Sequence, residues 1–122
     1  MSTKNPVVIN ALHASGKKVV CNGIGDCFSD AVYNLESAFK SGKASVAKSF
    51  IRDARNEIAG SYGVMHYDYA TKKDEAYVKK CVAAIDKAMS SPTEENIKAA
   101  RWECEKARAY ADGNSPNRSF WS

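Results

Sequence analysis

No stretch of this sequence approaches the roughly 20 consecutive apolar residues that a membrane-crossing helix requires, so no membrane is expected among its partners. The opening residues, Met1-Ser2-Thr3-Lys4-Asn5-Pro6, lack the apolar core of a secretory signal, which points to a cytoplasmic protein. With only seven glycines and three prolines, the chain is neither collagen-like nor a low-complexity linker. No surplus of one charge dominates: 18 Lys and Arg face 14 Asp and Glu, a formal charge of +4. A dedicated nucleic-acid binder usually concentrates its basic residues far more strongly.

Catalytic and cofactor signatures are missing too. The sequence contains no phosphate-binding loop, no H-E-x-x-H and no Gly-x-Ser-x-Gly. Gly23-Ile24-Gly25 does not make a dinucleotide fingerprint, because Phe28 stands where a third small residue belongs. Four cysteines are present, Cys21, Cys27, Cys81 and Cys104, but none are spaced C-x-x-C, and in a reducing compartment free thiols are expected. A zinc site from Cys21, Cys27, His13 and His66 would have suitable ligand types, yet the gap between the two cysteines exceeds the usual two to four residues. Cys27 near a helix start, with a histidine brought to it, is the one nucleophile that can be drawn, and the adjacent Asp26 opposes its ionisation. No catalytic residue, metal or cofactor is therefore assigned, and the protein is not expected to be an enzyme.

What is present suits one globular domain. The 122 residues are 44% apolar and 26% charged, ordinary values for a chain that buries a single core. Residues 1–113 read as the domain and 114–122 as a C-terminal tail. The charge surplus is split: residues 1–43 carry five basic and three acidic side chains, and so do residues 71–91, while the remaining segments balance.

The N-terminal 25 residues hold two short β-prone runs, Pro6 to Leu12 and Val19 to Cys21, around a Gly-containing polar stretch. That pattern predicts a β-hairpin, with a short helix over 6–14 as the rival. From Asp26, a capping residue, Phe28, Val32, Leu35 and Phe39 recur on one helical face up to Ser41-Gly42-Lys43. A second helix is predicted from Ala44 to Ala59, with Val46, Phe50, Ala54 and Ile58 on one side and Ala47 and Ile51 widening it. Gly60, Ser61 and Gly63 then suggest a connection over residues 60–70. A third helix is expected over 72–89 on Val78, Val82, Ile85 and Met89, and Pro92 stops it. A fourth, capped by Ser91 or Thr93, carries a narrow small-residue face of Ile97, Ala100, Cys104, Ala107 and Ala111, and ends at Gly113. Glu94–Lys98 and Arg101–Glu105 are spaced as surface i,i+4 pairs. The fold class expected is mainly α, formally α+β: a four-helix core with an N-terminal hairpin packed on it.

Aromatic placement supplies the best candidate site. Tyr62, His66, Tyr67 and Tyr69 crowd the 60–70 connection, and the tail closes with Arg118, Phe120 and Trp121. Interface hot spots are rich in Tyr, Trp and Arg. The reading is a small accessory or inhibitor protein that docks on a larger intracellular protein through this loop and tail. The blander reading is that these aromatics cover core edges. One alternative is a nucleic-acid binder using two basic rows, Lys48/Arg52/Arg55 and Lys73/Lys80/Lys87, diluted by interleaved acids. Another is a self-assembling homo-oligomer, formed through the small-residue face of the fourth helix or the aromatic tail.

Overall fold

The computed structural model describes residues 24–67 and 72–117, and every regular element within them is helical. Four helices follow one another: α1 (Ile24–Ser41), α2 (Ala44–Tyr67), α3 (Lys72–Ser90) and α4 (Glu94–Asp112). The four-helix core is as the periodicity indicated. The hairpin, and its rival helix at 6–14, lie outside the described residues; Ile24 and Gly25 already belong to α1, two residues ahead of the expected cap at Asp26.

Gly42-Lys43 joins α1 to α2, and Ser91-Pro92-Thr93 joins α3 to α4. Connections this short fold consecutive helices back antiparallel. Each helix packs on its neighbours in sequence, α4 closes against α1, and the diagonal pairs do not meet among the described residues. The result is an up-and-down four-helix bundle. Its interior is built on Phe28 and Leu35 of α1, Ile51 and Ile58 of α2, and Val78 and Ile85 of α3. Each such side chain removed from water contributes about 1.5–3 kcal/mol. From α4 come smaller groups, Ala100, Cys104 and Ala107, all fully buried. The face considered for self-assembly is thus consumed inside the bundle, and Ala111 alone of it is exposed.

The helix ends follow local chemistry. Thr93 caps α4 in extended geometry, its hydroxyl accepting from the Asn96 amide at 3.1 Å, so Thr93 and not Ser91 is the cap. Asn96 uses its side-chain amide to donate to the Ser91 carbonyl at 2.9 Å, fastening the α3–α4 turn. At the other end of α4, Gly113 adopts φ +73° and its amide donates to the Tyr110 carbonyl, while the Asn114 amide reaches Ala109. These bonds satisfy the carbonyls left over at a helix end. Gly42, at φ +72°, ends α1 in the same left-handed conformation.

Two expectations about α2 are corrected. It does not stop near Ala59 but continues through Gly60 and Gly63 to Tyr67. An isolated glycine costs a helix only about 1 kcal/mol against alanine, and the Ile51–Ile58 register continues in sequence at Tyr62 and Met65. The core stripe is also rotated: Ala47, Ile51, Ala54 and Ile58 are buried, Phe50 is half-buried and Val46 is exposed.

Candidate functional site

The extension of α2 changes the setting of the aromatic cluster. Tyr62, His66 and Tyr67 stand on its last two turns, on helical backbone instead of a loop. Tyr69 lies outside the described residues, as do Arg118, Phe120 and Trp121. Antiparallel packing places the end of α2, the start of α3, the end of α4 and the start of α1 at one end of the bundle. At that end, Tyr77 of α3 and Tyr110 of α4 stack with ring centroids 4.4 Å apart and planes 20° apart. The Lys73 ammonium sits 5.3 Å from the centroid of the Tyr110 ring, within cation–π range. The sequence reading singled out neither Tyr77 nor Tyr110 as a site residue. The two are 33 positions apart on separate helices, so nothing short of the fold pairs them.

A second feature fixes where the tail departs. Arg101 and Glu105 are each only 2% exposed. Expected as a surface i,i+4 pair, they instead turn to other partners. Arg101 donates through Nε and Nη2 to Glu36 of α1, at 3.2 and 3.0 Å. Its Nη1 donates to the Asn117 carbonyl at 2.8 Å, and the Asn117 amide donates to Glu105 Oε2 at 2.7 Å. Both backbone groups of Asn117 are therefore held by buried charges of α4, immediately before Arg118. Arg108 completes the network with two bonds to Glu105, at 2.8 and 2.6 Å, and one to Asp112 at 3.0 Å. Burial alone would oppose charge on Glu105. The hydrogen bonds from Arg108 and the Asn117 amide, with the charges of Arg108 and Arg101, outweigh it and hold the carboxyl below its usual range. Arg108, bonded to Glu105, is held more firmly protonated than a free guanidinium. The clue in sequence was opposite charges beside a narrow small-residue stripe.

The two basic rows fare differently. Lys48 and Arg52 are exposed on α2, but Arg55 is buried and its Nε donates to Asp86 of α3 at 2.8 Å. Arg55 is thus a tie between helices. Lys73, Lys80 and Lys87 are all exposed on α3. Across the α1–α2 seam, burial followed by the nearby charges of Asp30 and Asp53 raises the Glu57 carboxyl above its usual range.

Cys81 and Cys104 are buried free thiols on facing helices, and Cys81 Sγ donates to the Glu103 carbonyl at 3.5 Å. Its hydrogen bond with Cys104, then burial, push the Cys81 thiol well above its usual value, so it stays an unreactive thiol. Cys21 and His13, and the side chains of Cys27 and His66, lie outside what is described. Among the described residues no group of three or more His, Cys, Asp or Glu can hold a metal. No helix there is long and apolar enough to cross a membrane. An open cleft of about 290 Å³ lies at the opposite end of the bundle, between Phe39, Lys43, Pro92 and Ile97, with Lys43 and Glu94 as its titratable groups.

By class, then, the described residues form an up-and-down four-helix bundle with an aromatic end and a C-terminal segment clasped at Asn117. Compared with known families, curated proteins and solved structures, it matches none.

Proposed function

We propose that this is a non-enzymatic binding domain, an accessory or inhibitor protein of the cytoplasm that docks on a larger protein. Its contacts are two: the aromatic end of the bundle, and the C-terminal tail, whose last clasped residue, Asn117, lies against the middle of α4. The observation that carries this reading is the pair of hydrogen bonds that hold the Asn117 backbone. Two buried side chains of α4 grip one backbone unit, so the Arg118–Trp121 segment starts from a set point instead of a free end. A binding segment launched from a rigid scaffold loses less entropy on docking than a free tail. Helical backbone beneath Tyr62, His66 and Tyr67 supports it in the same way.

The experiment is affinity capture from the source cell. Wild type is compared with Tyr67→Ala/Tyr69→Ala and with a chain ended after Asn117, a stop that keeps the clasp intact. A retained protein lost with either variant, while circular dichroism shows both still folded, is the expected outcome. If nothing is retained, or if both folded variants retain it as wild type does, the reading is wrong.

A further inference from the structure

We propose that the outer face of α3, which starts at the aromatic end and runs away from it along the bundle, is a sequence-independent docking surface for duplex nucleic acid. Ala76, Lys80, Ala83, Lys87 and Ser90 form its crest, all exposed, with Lys73 and Lys79 exposed on its two flanks. The topology concentrates charge that the linear sequence dilutes. Helices α2 and α3 pack side by side and carry eight basic against five acidic side chains, whereas α1 and α4, paired across the bundle, carry five basic against eight acidic. On the α3 face, Asp86 is already neutralised by Arg55 at 2.8 Å. Among the described side chains no acid forms an ion pair with Lys79, Lys80 or Lys87.

The chemistry of this face selects its partner. The exposed large hydrophobic residues among those described are Tyr33 and Val46, neither of them on α3. A partner that needs an apolar anchor, whether a protein hot spot or a lipid interior, finds none on this face. Unpaired bases find no stacking platform on the crest, because Tyr77 is half-buried against Tyr110. What remains is an array of point charges set between small alanines that let the helix approach closely. Lys73, Lys80 and Lys87 recur every seven residues, about 10.5 Å along the helix axis. With α3 lying across the major groove, that spacing is close to the groove's roughly 12 Å width, so two successive lysines reach phosphates on its two walls. Lysine ammoniums on flexible stems contact phosphate without reading base edges, so no sequence preference follows.

The test is fluorescence anisotropy with a mixed-sequence DNA duplex at about 50 and 200 mM salt. Wild type should bind at the lower salt and weaken steeply, with a log–log slope near −3 to −4 for four neutralised phosphates. Lys80→Gln/Lys87→Gln should bind at least tenfold more weakly at low salt and lower the slope magnitude by about 2. Lys98→Gln/Lys106→Gln, the same charge change placed on α4, should bind as wild type. The proposal is overturned if wild type fails to bind at low salt, or if the two folded variants lose affinity equally. Binding to phosphatidylserine vesicles with none to the duplex also overturns it and assigns the ridge to a membrane surface.

Discussion

Arg101 and Glu105 show how much a pairwise pattern in sequence leaves undetermined. Their spacing suits an exposed helical pair worth about 0.2–0.5 kcal/mol, yet both are buried, one reaching α1 and both gripping Asn117. Charges taken out of water are tolerated only when their remaining donors and acceptors are satisfied, and here the backbone of Asn117 does part of that. Glu105 therefore links stability to pH. Its folded carboxyl titrates below the unfolded value, so its contribution is complete above the ordinary carboxylate range and is lost as pH falls through the lower folded value. Thermal melts of wild type and Glu105→Gln should differ clearly at neutral pH and converge in acid. Glu57 has the opposite sign. Its carboxyl is raised by burial and by Asp30 and Asp53, so ionising it at neutral pH weakens the fold. Glu57→Gln should raise the midpoint of thermal unfolding at neutral pH, with the gain disappearing in acid.

Helices α1, α3 and α4 were legible from apolar periodicity and punctuation to within a few residues. Helix α2 was not, because glycine is both a helix terminator and a tolerated helix residue, and one sequence does not say which. Gly42 and Gly113 terminate helices, at φ +72° and +73°; Gly60 and Gly63 lie inside one. The distinction is energetic. A left-handed C′ position costs an L-residue about 1–2 kcal/mol, whereas a glycine within a helix costs about 1 kcal/mol, which packing can offset. No atom lies within 4 Å of a Cβ added at Gly42 or Gly113, so only the backbone penalty applies there. Gly42→Ala and Gly113→Ala should each destabilise by about 1 kcal/mol in denaturant unfolding, with the slope unchanged.

Assembly of the whole molecule decides which surfaces exist. The two segments of the sequence with extra positive charge, 1–43 and 71–91, are far apart in the chain, and neither is strongly basic. Packing α3 beside α2 gives one flank of the bundle a positive excess, and packing α4 beside α1 gives the opposite flank a negative one. The same antiparallel arrangement carries Tyr77 to Tyr110, and both to the end of the bundle where α2 finishes at Tyr67.

Taken alone, the sequence determined the helical class, the count of helices in the core, and most of their limits. Those properties are local: a 3.6-residue apolar period, a capping threonine and two glycines act over a turn or so. Only the tertiary structure decided that Arg55, Arg101 and Glu105 are interior ties, that the small face of α4 is core, and that the lysines of α3 stand on a positive flank. Each of these depends on which helix lies beside which. Charge–charge interaction and burial are set by distance through space, and distance along the chain does not report it.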